Sequence, residues 1–202
     1  ERWLREALTV AERMALCNTV PIAQAQLGRA VAQRGNPEEA LRLEGQAVGA
    51  FDRQGNLRLA GMARAYLAQA HLALGQLEAA ESAARRAVEI LENALPMQRS
   101  ALAVLALVHV AQGRPAEALE AATRANAGLG GEQHLPVGEC LVRRSLAEAL
   151  LAQGRQEEAV ASARVARARL EVLSAGIVDA ERRRQYLVDS PDRRRILELA
   201  AG

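Results

Sequence analysis

Four glycines, spaced 38 to 41 residues apart, constrain the fold of this chain more than any other feature of its sequence. Around each of them, the residue eight positions before is Leu, and the residues five and twelve positions after are Ala. A register that recurs four times predicts an array of helical repeats. The glycines are Gly35, Gly75, Gly113 and Gly154, the leucines are Leu27, Leu67, Leu105 and Leu146, and the alanines are Ala40, Ala80, Ala118 and Ala159, then Ala47, Ala87, Ala125 and Ala166.

The stretch 63–91 shows the content of one repeat. Apolar residues recur at three- and four-residue spacing on both sides of Gly75, which predicts two amphipathic helices. Gly75 lies where the first helix should end, because glycine enters the left-handed region without steric cost. We therefore expect a helix break at each of the four glycines. Small side chains let helices approach closely, and the alanines that we expect to be almost fully buried are Ala80, Ala87, Ala118 and Ala125.

This register resembles the tetratricopeptide repeat family, whose pattern places Leu and a small residue on the first helix, Gly at the turn and alanines on the second helix. The small residues that follow each Leu here are Gly28, Ala68, Ala106 and Ala147. Two departures are visible. Aliphatic residues, His or Ala occupy most of the family's aromatic positions, and the period exceeds the usual 34 residues. Longer units of this kind resemble those of bacterial multidomain signalling proteins and peptide-sensing regulators.

The expected fold is all-α: an α-solenoid of antiparallel helix pairs, stacked as a right-handed superhelix, with a C-terminal capping helix pair. A helix from Trp3 to Cys17 resembles the second helix of a repeat whose first helix lies upstream. Because the chain begins with Glu1 and not Met, we expect it to be excised from a larger protein. The expected divisions are a partial repeat 1–18, repeats 19–54, 55–94, 95–131 and 132–176, and capping helices 177–202.

Local signals mark two helix starts. Asn36 precedes Pro37, Glu38 and Glu39, which combines a cap, a proline in the first turn and an acidic first turn. Ser190 precedes Pro191 in the same way, between two short charged helices. We interpret those two helices as the terminal cap, because the last repeat would otherwise expose its stacking face.

Composition excludes several classes of function. The net charge is only +2, which argues against a nucleic-acid partner. All 26 basic residues are arginine, which indicates a GC-rich bacterial genome and removes a Walker or Schiff-base lysine. We find neither a membrane-spanning run nor a signal peptide, and we expect Cys17 and Cys140 to be free thiols in a reducing cytoplasm.

Candidate chemistry is sparse. His71 and His109 share a register position and could form a metal or acid–base pair, or could simply point into the helix seams. The glycine cluster 127–131 could cradle phosphate or could be an inter-repeat loop. The arginine triplets 182–184 and 193–195 could meet an acidic partner or form a solvated capping face. In each case the second interpretation is favoured, and we predict no enzyme, no cofactor and no metal.

The resemblance implies a binding groove along the first helices of the repeats. The helix over 100–113 is apolar all round, whereas an exposed face should be polar. Either this face contacts a partner, a ligand or a second chain, or neighbouring helices cover it. The groove residues that we predict are Gln26, Arg29, Met62, Tyr66, Gln69, Leu72, Val104, Leu107, Val110, Arg144 and Glu148, with Gln33, Ser100, Leu141 and Leu151 at adjoining positions.

These features predict a non-catalytic scaffold that binds a protein or peptide segment, as the interaction module of a larger bacterial signalling or transcription-regulating protein. The segment would dock across the first helices of repeats two and three, with Arg29 and Arg144 meeting its carboxylates. The alternative is a structural spacer or a self-association module that forms a homodimer through its apolar patches.

Overall fold

The computed structural model describes residues 1–127, 129 and 138–202, and within them it contains eleven α-helices and no strand. The chain forms two compact units, Glu1–Ala101 and Leu102–Gly202. The first unit contains α1 (Arg2–Arg13), α2 (Thr19–Gln33), α3 (Pro37–Arg53), α4 (Leu57–Ala73) and α5 (Leu77–Ile90). Helix α6 (Leu95–Ala111) begins there and continues into the second unit, which adds α7 (Pro115–Asn126), α8 (Glu139–Ala152), α9 (Gln156–Ala175), α10 (Ala180–Val188) and α11 (Pro191–Ala201).

Each of the four register glycines ends a helix, as predicted. Gly75 has φ +70°, and its N–H donates to Leu72 O at 3.1 Å, while the N–H of Gln76 donates to His71 O at 3.0 Å. This pair of bonds is a Schellman motif, which satisfies the last carbonyl groups of the helix. The same pair closes the helices that precede Gly35, Gly113 and Gly154. The turns between paired helices are therefore fixed by local hydrogen bonding.

The predicted helix start at Asn36 is also confirmed, because its side chain accepts a hydrogen bond from the N–H of Glu39 at 3.2 Å. Ser190 occupies the corresponding position before α11, but its side chain makes no capping bond. Helix α1 is shorter than predicted. It ends at Arg13, and the chain then turns through Ala15, which has a positive φ of 51°.

Alanine-lined seams hold the first unit together. Ala25, Ala47 and Ala60 pack around Phe51 between α2, α3 and α4, and all four side chains are buried. A further seam joins α4, α5 and the start of α6 through Leu91 and the alanines Ala65, Ala87 and Ala101. The predicted burial of Ala80 and Ala87 is confirmed. Because these side chains end at Cβ, neighbouring backbones approach closely without leaving voids.

The second unit shows the same kind of packing. Ala118 and Ala125 on α7 are fully buried, as predicted, and Ala118 packs with Ala106 and Ala149. Helix α11 packs on α8 and α9, where Ile196 is buried against Leu170. Helix α10 buries none of its residues. Most of the apolar cover at the end of this unit therefore comes from α11.

In the ranges that the structure describes, no helix combines the length and the apolar character needed to cross a membrane.

Replacing Ala118 with Leu should overpack the α6–α7 seam and lower the free energy of unfolding by about 1–3 kcal/mol. Ala116 lies exposed on the same helix and provides the matched control, because Ala116→Leu adds the same atoms in solvent. Urea denaturation followed by circular dichroism measures both variants. An unchanged midpoint for Ala118→Leu would show that this seam is assigned to the wrong residues.

Candidate functional site

The predicted apolar face of α6 is not an open groove. Residues 101–109 are all buried, and Val104 and Leu107 are only 0% and 7% exposed. Both side chains are thus covered within this chain, as in the alternative of a covered face, and their contact with a partner stays a prediction. The physical reason lies in the pattern itself, because a helix that is apolar on every side is a core helix. Val110, at the end of α6, is half-buried.

Arg144 and Glu148 on α8 are also engaged within the chain. Arg144 Nη1 donates to Asp192 Oδ1 at 2.8 Å, and Arg195 Nε donates to Glu148 Oε1 at 2.7 Å. Both partners belong to α11. Helix α11 thus occupies the predicted groove positions of α8, and these two residues hold the terminal helix in place.

The remaining predicted residues lie together in the first unit, on the two helices α2 and α4. Each of them is half-buried, and their spacing places them at successive turns of each helix. We call this surface the α2–α4 face. Its residues are Gln26 and Arg29 on α2, and Met62, Tyr66, Gln69 and Leu72 on α4.

Arg29 and Tyr66 join the two helices of this face. The Arg29 guanidinium carbon lies 5.8 Å from the centre of the Tyr66 ring, within cation–π range. Burial raises the pKa of the Tyr66 hydroxyl, and the charge of Arg29 opposes that shift. Among the described residues, Arg29 forms no ion pair with a carboxylate. Its guanidinium therefore interacts with the ring of Tyr66 and not with a carboxylate of the described residues.

Glu44 on α3 lies beside Arg29 and Tyr66, and the sequence analysis missed it. Its side chain is 1% exposed, and neither carboxyl oxygen makes a hydrogen bond of normal geometry within the described residues. Glycine at position 28 makes the room for this group. A Cβ atom there would lie 2.6 Å from Glu44 Oε1, which is too close for any real contact.

Internal comparison shows how unusual this contact is. Gly28 and Glu44 lie sixteen residues apart, and the equivalent pairs of the other repeats all consist of two alanines that are fully buried. These pairs are Ala68 with Ala84, Ala106 with Ala122, and Ala147 with Ala163. The first repeat thus replaces a small apolar seam with a glycine and a buried acid. An acid in a register of alanines is the sequence signal that could have identified the site.

Burial raises the pKa of the Glu44 carboxyl to about 9, although Arg29 acts in the opposite direction. The group is therefore an uncharged acid at neutral pH. Because its pKa in the folded chain exceeds the unfolded value of 4.5, its effect on stability is most favourable below pH 4.5. That contribution is lost progressively as the pH rises from there to about 9.

The other chemically notable side chains lie outside this cluster. His71 Nδ1 lies 2.6 Å from Gln76 Oε1, and His109 Nδ1 lies 3.3 Å from Gln112 Oε1, so each imidazole contacts a glutamine just beyond its own helix. Within the described residues, no group of His, Cys, Asp and Glu could hold a metal ion. Cys140 is half-buried, and burial raises the pKa of its thiol to about 11. The glycine cluster 127–131 lies largely outside the described residues.

Two family models, both described as "Tetratricopeptide repeat", match this chain. One matches residues 21–43, 99–124 and 141–164, and the other matches residues 61–96. The matched segments together span more than half of the 202 residues, and the chain therefore belongs to the tetratricopeptide repeat family. Repeats of this family generally act as non-catalytic scaffolds for protein–protein interaction.

Solved structures agree on the fold. The TPR-like repeats of a Podosopora anserina protein, assigned as a kinesin light chain, align with a TM-score of 0.57 and 22% identity. The alignment covers 89% of this chain and 92% of that one. A single-substitution variant of the same protein gives a TM-score of 0.56. No curated protein matches the chain significantly in sequence.

A double-mutant cycle tests the Gly28–Glu44 contact. Gly28→Ala alone should lower the free energy of unfolding by about 1–3 kcal/mol at pH 7, because the buried carboxyl cannot move away freely. Gly28→Ala with Glu44→Ala restores the alanine pair of the other repeats. This double variant should be more stable than the natural chain, because a buried unsatisfied polar group costs about 1–3 kcal/mol.

Glu44→Ala and Gly45→Ala complete the set. Gly45 lies on α3 with open space where a Cβ would be, so its replacement should be neutral or slightly stabilising. Strictly additive effects of Gly28→Ala and Glu44→Ala would contradict the contact.

Proposed function

We propose that the α2–α4 face binds an acidic segment of a partner protein, and that this chain is a non-catalytic interaction scaffold. The observation that carries the proposal is the state of Arg29, which is half-buried and has no carboxylate partner in the described part of the chain. Of the two other half-buried arginines of the first unit, Arg64 is paired and donates to Asp52 Oδ2 at 2.6 Å. Arg99 makes no ion pair either, and its Nη1 lacks a hydrogen-bonding partner among the described residues.

The chemistry around Arg29 supports this partner class. Met62 and Leu72 are the first and the last residue that α4 contributes to the face, and their side chains offer apolar contact area. Gln26 and Gln69 carry amides that can bond the main chain of an extended segment. Apolar anchors beside polar groups are how helical grooves combine affinity with orientation. A carboxylate of the partner would complete the arrangement by pairing with Arg29.

We also propose that the chain serves as the regulatory module of a larger bacterial protein. The arginine-only basic composition and the long repeat period support a bacterial source. Cys17 and Cys140 are free thiols, which suits a reducing cytoplasm.

Self-association is a second candidate function, favoured by helix α1. Trp3 is 71% exposed and Val10 is more than half exposed on the same stripe of α1, and Met14, the residue that follows the helix, is also more than half exposed. In an antiparallel contact between two copies of α1, Trp3 would meet the Met14 of the second copy. Glu6 would then lie near the Arg13 of that copy, so the charges at the edge are complementary.

Binding should depend on the charge of Arg29. The probe is a pool of fluorescent nine-residue peptides with one Asp or Glu among leucines and alanines, compared with the same pool carrying Asn or Gln. Fluorescence anisotropy should show affinity for the acidic pool that falls by about ten- to a hundredfold in Arg29→Met, as expected for one charged hydrogen-bonded pair. Arg58→Met, at an exposed position of α4, should bind like the natural chain. Equal binding of the two pools, or of the two variants, would contradict the proposal.

Self-association predicts a sedimentation coefficient that rises with protein concentration, and a loss of this dependence in Val10→Glu but not in Thr9→Glu. Val10 belongs to the exposed stripe, whereas Thr9 lies beside it and bonds to Arg5 O. A sedimentation coefficient that stays at the monomer value at every concentration would contradict self-association.

A further inference from the structure

Three features of the first unit meet at Glu44. The carboxyl is buried and makes no hydrogen bond of normal geometry among the described residues, and Gly28 leaves the space that it fills. Arg29 lies close enough for its charge and its backbone N–H to act on the carboxyl. A buried acid and a nearby unpaired arginine are chemically complementary. In this structure they nevertheless form no ion pair.

An uncharged Glu44 fits this separation. An uncharged acid has no net charge to attract the guanidinium, and Arg29 instead lies over the ring of Tyr66. Loss of the proton to solvent would leave a carboxylate that is 1% exposed. The nearest opposite charge is then the Arg29 guanidinium, and an ion pair with it stabilises the buried anion.

We propose that Glu44 is a proton-operated latch, which leaves Arg29 available to an acidic partner while it is an uncharged acid and withdraws Arg29 into an internal ion pair when it is a carboxylate. This inference rests on the proposed function of the α2–α4 face. It adds a regulatory residue that lies beneath the face and does not itself contact the partner.

The charges around the latch set its direction. Among the described residues, the titratable or charged groups that act on Glu44 are Arg29 from α2 and Tyr66 from α4. Burial places the pKa of Glu44 near 9. The latch is therefore open at neutral pH, with Glu44 uncharged and Arg29 available, and it closes as the pH rises through that value and Glu44 pairs with Arg29. A partner carboxylate beside Arg29 would add a like charge and hold Glu44 in its acid form. Binding should therefore be linked to proton uptake near pH 9.

The first test uses the chain alone. The ¹³Cζ signal of Arg29 and the ring signals of Tyr66 are followed by NMR from pH 6.5 to 10.5, in the natural chain and in Glu44→Gln. Glutamine has the shape of the uncharged acid but cannot ionise. The natural chain should show a transition near pH 9 at Arg29 that is absent from the variant, whereas the ionisation of Tyr66 itself is common to both. An Arg29 signal that behaves alike in the two proteins overturns the latch.

The second test measures the affinity for the acidic peptide pool at pH 7.5 and pH 10. The natural chain should bind about tenfold more weakly at pH 10, since each pH unit above the pKa lowers the fraction of open latch by up to tenfold. Glu44→Gln should bind equally at both pH values. If Glu44→Gln does not fold, the double variant Gly28→Ala with Glu44→Ala replaces it, because that variant carries the alanine pair of the other repeats.

The outcomes separate the two proposals. Equal weakening of the natural chain and the latch-free variant overturns the latch and leaves the binding face intact. Absence of binding in both proteins at both pH values overturns the proposed function, and with it the competition between Glu44 and a partner for Arg29. The Arg29 signal of the first test then reports whether the internal ion pair with Glu44 forms.

Discussion

Close approach between helix backbones is the constraint on which the rest of this structure depends. The chain has few aromatic residues, and its seams are lined by alanines that are fully buried, such as Ala47, Ala87 and Ala122. Short side chains at these positions let each helix lie near its neighbours, so many small contacts replace a few large ones. A larger side chain in a seam must be accommodated by its neighbour. Glu44 is such a side chain, and Gly28, which has no side chain, leaves the space for it.

This exception connects packing with function. The alanine pairs of the other repeats show that the fold does not need an acid at this position. A buried group without a hydrogen-bonding partner lowers stability, and proteins commonly tolerate such a loss at functional sites. In this chain the loss occurs directly beneath Arg29, the cation on which the proposed binding face depends. We interpret the coincidence as a link between the stability of the first repeat and the chemistry of its surface.

Local features of the fold could be predicted from the sequence, and features set by distant contacts could not. The breaks at Gly75 and its equivalents, and the burial of Ala118, follow from spacing and steric rules that act within one helix pair. The burial of Val104 could not be predicted, because an apolar residue has the same appearance in a sequence whether its side chain faces a partner or the core. The pairing of Glu148 with Arg195 joins residues almost fifty positions apart, and no local pattern encodes it. Glu44 could not be predicted from the register itself for another reason, since a repeat register is defined by the positions that agree, and Glu44 stands where the other repeats have alanine.

The central claim is that an uncharged acid lies buried between α2, α3 and α4. The measurement that tests it most directly is a pH titration of the Glu44 side-chain carboxyl carbon by ¹³C NMR in the intact chain, with the urea-unfolded chain as reference. The account predicts that this carbon keeps the chemical shift of a protonated acid at pH 7 and changes with a midpoint near pH 9. A midpoint near the unfolded value of 4.5 would show a carboxylate at neutral pH and would contradict the account.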